Sequence, residues 1–112
     1  MKLLPKNEYD LIEQLLQNYK YFTEPTSNYL KSMNELITFF DIPIYKEFLT
    51  YFYFNRSQYK NRYPNNRAML NYLCNKLYVQ ESTLYSIRRE IVYKATMLFY
   101  KYDVLKEEKG NE

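Results

Sequence analysis

Six side chains able to hydrogen-bond to base edges fall within one short stretch: Gln80, Ser82, Thr83, Tyr85, Ser86 and Arg89. Arg and Gln can each make two parallel hydrogen bonds, to guanine and adenine edges respectively. Ser and Thr hydroxyls pair with either kind of edge. Arg67, Lys76, Arg88 and Lys94 lie around this stretch, with Arg56, Lys60 and Arg62 upstream. Cations of this kind neutralise phosphates and set register on a duplex. Together these residues point to a helix reading the major groove of double-stranded DNA.

Such side chains work only if a scaffold aims them. The segment Leu73–Ile87, LCNKLYVQESTLYSI, has the layout of two helices meeting at a turn. Leu73 and Leu77 face inward from the first helix, and Cys74 is the small residue that allows a close crossing. Val79 plugs the turn. Leu84 and Ile87, three apart, fix the buried side of the second helix. Tyr78 occupies the turn position that needs a left-handed backbone, where Gly is the usual choice. Glu81 sits in the first turn, where a carboxylate suits the helix dipole but repels phosphate.

The rest of the chain reads as helices. Lys6–Phe22 carries an inward stripe of Leu11, Ile12, Leu15, Leu16 and Tyr19, with Asn7 as candidate cap. Pro25 marks a break, and Thr26 or Ser27 caps a second helix, Ser27–Phe40, facing inward with Leu30, Met33, Leu36, Ile37 and Phe40. A second break follows at Asp41-Ile42-Pro43, with Asp41 as candidate cap. Ile44–Phe54 has helical spacing at Ile44, Phe48, Tyr51 and Phe52, and it ends in β-favouring aromatics. Helix is preferred there, because no partner strand is visible.

Residues 55–66 read as a basic loop with a helical turn near Ser57-Gln58-Tyr59. Asn65 or Asn66 then caps a helix over Arg67–Leu77. The last helix is expected from Ser82 to about Glu107, nearly 40 Å at about 1.5 Å per residue. Its stripe is Leu84, Ile87, Ile91, Ala95, Leu98, Tyr102 and Leu105. Either the amino-terminal helices or a second copy of the chain, as a homodimer, must cover its far half. Residues 108–112 read as a frayed tail.

The expected fold is therefore all-α: one domain over residues 1–112, a small bundle of about five helices. Residues 1–54 form its amino-terminal helical part. Residues 67–107 form a carboxy-terminal helix-turn-helix with a long last helix. Composition agrees, since a single Gly among 112 residues disfavours a many-turned β protein.

The formal net charge of +3 is unevenly spread. Residues 1–54 hold five basic and seven acidic residues, while 55–101 hold nine basic and two acidic, a net of +7. The basic part is the part with the motif, as polyanion binding requires. The lone Cys excludes an internal disulfide, and with no His it excludes an ordinary zinc site. No apolar run approaches the roughly 20 residues of a membrane span, so a soluble, cytoplasmic protein is expected.

Leu73 to Tyr85, followed by Ile87-Arg88-Arg89-Glu90-Ile91, resembles the carboxy-terminal half of ArpU/RinA-type phage transcriptional regulators. These are small proteins of Gram-positive phages and related mobile elements. Their last domain is similar to the DNA-binding region 4 of sigma factors. The shared pattern is apolar-small-x-x-apolar-x-apolar, then Ser-Thr-apolar-Tyr, then a basic pair. It covers roughly residues 66–100. Tyr78 and the long 55–66 loop depart from it. The resemblance implies a regulator of late or packaging genes in a phage or a phage-related island.

Two rival functions fit other residues. Tyr51, Tyr53, Tyr59, Tyr63, Tyr100 and Tyr102 would suit a protein-interaction surface. The partner would then be RNA polymerase, another transcription factor or a host protein. Tyr59, Lys60, Arg62 and Tyr63 interleave as a single-strand stacking platform would. Fifteen Tyr also match the codon bias of an AT-rich genome, which weakens any reading of a single Tyr. No catalytic constellation, cofactor motif or metal-ligand cluster is present in the sequence, so an enzyme is not expected. The sequence sets one test: Arg88→Ala with Arg89→Ala should abolish or strongly weaken duplex binding and leave the helical signal and melting intact.

Overall fold

The computed structural model describes residues 6–21 and 27–105. These contain five α-helices and no strands. Helix α1 spans Lys6–Gln17 and ends in a 3-10 turn, Tyr19–Tyr21. Helix α2 is Asn28–Phe39, α3 is Pro43–Phe48, α4 is Asn66–Leu77 and α5 is Glu81–Lys101. All of the first four helices except α4 lie along α5, and α4 meets it across a three-residue turn. The long helix is thus the spine of a small bundle, and the chain's own helices cover its far half.

Local chemistry sets the ends. Ser27 caps α2 by accepting from the Leu30 amide at 3.1 Å. Asn65 caps α4 by accepting from the Ala68 amide at 2.8 Å. Each satisfies an amide that the first turn leaves without a partner. Asn7 lies inside α1, so it is not the cap. Asp41 is not a cap either: Ile42 precedes α3, Pro43 opens it, and Asp41 pairs with Lys46 at 2.9 Å instead. Thr26 and the end of the expected first helix, Phe22, lie outside the described residues.

The aromatic segment after α3 is helical, though wider than α. Leu49–Phe54 forms a π-turn, with the Asn55 amide reaching back to the Thr50 carbonyl at 2.8 Å. The wider turn lets Phe48, Leu49, Phe52 and Tyr53 enter the core side by side, all of them buried. Phe48 stacks on Phe52 at 4.9 Å between centroids, and Phe52 meets Tyr53 edge-on at 4.9 Å. The segment is helical, as its spacing implies, but Leu49 and Tyr53, rather than Ile44 and Tyr51, are buried in the core with Phe48 and Phe52.

Helix α5 starts one residue early and ends well before Glu107. Twenty-one residues make it about 31 Å long at about 1.5 Å each. The stop is Asp103, whose φ of 60° lies in the left-handed region that Asp tolerates better than most residues. The Val104 and Leu105 amides then both return to the Phe99 carbonyl, at 2.8 and 3.0 Å. That turn folds the two apolar side chains back onto the core. The inward stripe of α5 is as expected from Leu84 through Leu98, and Val92 and Phe99 join it. Leu11, expected inside, is exposed on α1, where Ile12 and Leu16 take the core positions.

Candidate nucleic-acid interface

The turn between α4 and α5 is Tyr78-Val79-Gln80. Tyr78 adopts φ 57°, ψ 46°, the left-handed conformation. A non-Gly residue pays strain there, roughly 1–2 kcal/mol. Its amide bonds the Cys74 carbonyl, as does the Val79 amide at 3.1 Å, so the end of α4 is satisfied. The Tyr78 side chain is 93% exposed, so the strain is not offset by packing. Val79 and Leu77 are half-buried against the core beneath the turn. Cys74 is half-buried too, and burial pushes its thiol above the ordinary value, as a small packing residue requires.

All six base-edge candidates are exposed: Gln80, Ser82, Thr83, Tyr85, Ser86 and Arg89. Gln80 precedes α5 but makes no capping bond with its side chain. Ser82, Tyr85, Ser86 and Arg89 are three or four apart along α5, so they share one face. Thr83 lies at the edge of that face. Glu81 and Glu90 are also exposed, and they put two acids near the two ends of this stretch.

Arg88 is the main correction to the cation set. It points inward and holds Glu13 of α1 with both arms of its fork. Nε donates to Oε2 at 2.7 Å and Nη2 donates to Oε1 at 2.7 Å. Tyr53 donates its hydroxyl to Glu13 Oε2 at 2.6 Å. Tyr9 and Phe52 rings lie 5.6 and 5.2 Å from the guanidinium. Burial alone would lower the Arg88 pKa, but the Glu13 hydrogen bonds and charge hold it above the ordinary value. Arg88 is therefore a positioning residue, which ties the first half of α5 to α1, and it is not a phosphate contact.

Arg56 is the second correction. It is only 6% exposed and donates to the Asn66 side chain at 2.8 Å and to the Phe52 carbonyl at 3.4 Å. Arg67, Lys60 and Arg62 are exposed, as is Lys76, which lies over the Tyr51 ring at 4.9 Å. Lys94 is half-buried, 4.2 Å over the Phe39 ring. The expected cations thus divide into five that reach the surface and two that hold the core together.

The tyrosines proposed as an interaction surface are mostly committed to the fold. Tyr53 is fully buried, which removes it from any surface. Tyr63 stacks on Tyr72 at 4.5 Å, Tyr59 packs on Tyr72 at 5.8 Å, and Tyr51 meets Tyr59 edge-on at 6.0 Å. Each of the pair needed for single-strand stacking, Tyr59 and Tyr63, already has a ring neighbour. Tyr100 donates to Glu8 at 3.1 Å and Tyr102 to Glu35 at 2.6 Å.

The exposed aromatic and apolar surface lies elsewhere. Phe39, Ile42, Tyr45, Tyr93 and Met97 line a groove of about 480 Å³ between α5 and the α2–α3 connection. Phe39 is 58% exposed, and Ile42 and Met97 about half. Tyr93 and Met97 continue the Ser82–Arg89 face, four residues per step. Tyr45 donates to Glu90 at the rim, which pushes its own pKa up to about 12. The spacing of Phe39, Tyr93 and Met97 held no sign of this groove, because the two elements that form its walls are far apart in sequence. Tyr78, by contrast, already stood out in the sequence as the misfit at the turn.

No protein-family model, curated protein or solved structure matches the chain. Among the described residues no group of His, Cys, Asp and Glu could hold a metal ion, and no helix is long and apolar enough to cross a membrane.

Proposed function

We propose that the protein is a sequence-specific, double-stranded DNA-binding transcriptional regulator, which reads the major groove with the first turns of α5. The observation that carries this reading is the exposure of all six base-edge candidates around the start of one helix, just after a tight turn. The anchoring of that helix by Arg88 on Glu13 supports it further. A reader helix must be held rigidly if its side chains are to discriminate bases. Arg89 is the natural guanine reader and Gln80 the natural adenine reader. Arg67, Lys76, Lys94, Lys60 and Arg62 would hold phosphates. The resemblance to ArpU/RinA-type regulators implies a phage or phage-related mobile island of a Gram-positive bacterium as the source. It also makes late or packaging genes the expected targets.

Binding to a pool of duplex fragments across a salt series tests the proposal. A steep loss of affinity with salt supports it, and no binding even at low salt removes it. One observation favours a second reading, a module that binds another transcription factor or a host protein without touching DNA. That observation is the apolar groove of Phe39, Ile42, Tyr93 and Met97. An exposed apolar surface of this kind marks a partner site more often than a bare surface does. Met97→Arg would then abolish partner capture and leave duplex affinity unchanged.

A further inference from the structure

A second cleft carries charge that neither α5 nor the apolar groove uses. It lies between the end of α1 and the 3-10 turn Arg56–Tyr59. Lys20, Arg56 and Lys60 line it, with Asn18, Tyr21 and Ser57. No Asp or Glu among the described residues does so. Lys20 reaches across it and donates to the Ser57 hydroxyl at 3.1 Å. Three cations thus converge on one small polar space.

Arg56 makes this arrangement costly to leave as it is. It is nearly buried, yet it forms no ion pair among the described residues. The Asn66 amide oxygen, the Phe52 carbonyl and the Phe52 ring, 4.6 Å away, are neutral partners. Buried Arg is ordinarily matched by an acid. Glu13 is close enough to act on Arg56 through its charge, but both of its oxygens are held by Arg88 and Tyr53. Burial and the neighbouring Arg88 charge both pull the Arg56 pKa below its ordinary value. An anion in the cleft would oppose both effects through its charge.

We propose that this cleft binds a phosphate group, held by Arg56, Lys20 and Lys60. The cleft offers about 130 Å³. A water needs roughly 10–15 Å³ on the same scale, so a four-oxygen anion fits with water to spare. Nη1 and Nη2 of Arg56 already hold the Phe52 carbonyl and the Asn66 side chain, so Arg56 supplies a fixed charge and its remaining N–H donors, and the two Lys supply mobile point charges. Ser57 and Asn18 add neutral hydrogen-bonding groups. The group can come from free inorganic phosphate or from the backbone of a DNA duplex. The site itself does not rest on duplex binding, because free phosphate alone can fill it.

Thermal melting of the full chain in phosphate and in chloride, at equal pH and ionic strength, tests the site. Wild type should melt about 10 °C higher in phosphate, what a ligand near 100-fold above its Kd confers. Lys20→Gln with Lys60→Gln changes two exposed side chains, so the variant should fold, and its phosphate affinity should fall at least tenfold. Equal melting of wild type in the two salts overturns the proposal, as does a shift that survives intact in the variant. Glu24, in the stretch outside the described residues, is the acid nearest to Lys20 and Tyr21 in the sequence that follows them. Glu24→Gln is therefore run alongside, and a phosphate effect seen only in that variant also overturns the proposal. Duplex binding separates the two sources. Lys20→Gln alone decides, since Lys60 is already assigned to the duplex: if this variant binds DNA more weakly and phosphate competes, the group is a backbone phosphate; if its DNA affinity is unchanged, it is a free one. Either result supports the site.

Discussion

Replacing Arg88 by Ala should unfold much of what holds α5 in place, and the size of the effect follows from the geometry. The Glu13 carboxylate is buried and accepts two Arg88 bonds of 2.7 Å and one Tyr53 bond of 2.6 Å. Removing Arg88 leaves a carboxylate in the core with one neutral donor. Breaking a buried pair from one side costs about 3–5 kcal/mol. A domain of this size has about 5–15 kcal/mol in total. At roughly 4 °C per kcal/mol, the melting temperature should drop by about 12–20 °C. Arg89→Ala, one residue on and exposed, should change stability by less than about 0.5 kcal/mol. Urea unfolding of both variants, with matched slopes, gives the comparison. Glu13→Gln combined with Arg88→Met should cost less than the two single changes together, because no bare charge remains. An Arg88→Ala cost below about 1 kcal/mol, or equal to that of Arg89→Ala, would refute the positioning role. The double alanine test that the sequence alone recommends is thereby replaced: it would confuse unfolding with loss of contact.

Two further outcomes follow from the turn and from the phenols. Tyr78→Gly should raise the urea midpoint by about 0.5–1 kcal/mol equivalent, since it relieves a left-handed backbone and loses no packing; a destabilised variant would mean that the Tyr78 ring has a contact the structure lacks. Burial raises the Tyr29 and Tyr53 pKa values, and the bond to Glu90 raises that of Tyr45 to about 12. Groups whose folded pKa is raised contribute their stability fully below the unfolded phenol value of about 10 and lose it as pH climbs through the folded values. Urea midpoints should hold steady up to pH ~10 and then fall, with phenolate absorbance from Tyr53 appearing only on unfolding. A flat profile beyond pH ~11 contradicts the burial of these hydroxyls.

The sequence carried the helices well because their stripes are dense. Ile12, Leu16, Met33, Leu36, Leu84, Ile87 and Ile91 are all buried where period 3.6 puts them. Ser27 and Asn65 were legible as caps because their side chains act on amides three residues away. What escaped depends on a partner distant in the chain or on local backbone geometry that side-chain spacing does not show. Arg88 looked like one half of a basic pair, because its acid lies 75 residues earlier. Arg56 looked like a loop cation, because Asn66 and Phe52 bury it. Tyr53 looked like surface in an aromatic run, and the π-turn carried it inward. The last helix looked longer than it is, because only the backbone of Asp103 ends it. The exposure of Ser82, Tyr85, Ser86 and Arg89 was legible, since exposure on a helix needs no partner.

Duplex binding by wild type and Arg89→Ala over a salt series tests the central claim most directly. Five surface cations set a ceiling of about −4.5 on the slope of log affinity against log salt. The account predicts a linear fall no steeper than that. It also predicts at least a tenfold loss for Arg89→Ala on a preferred sequence, about 1.4 kcal/mol, at unchanged melting temperature. No duplex binding by wild type at low salt, or an Arg89→Ala variant that binds as wild type does, would contradict it.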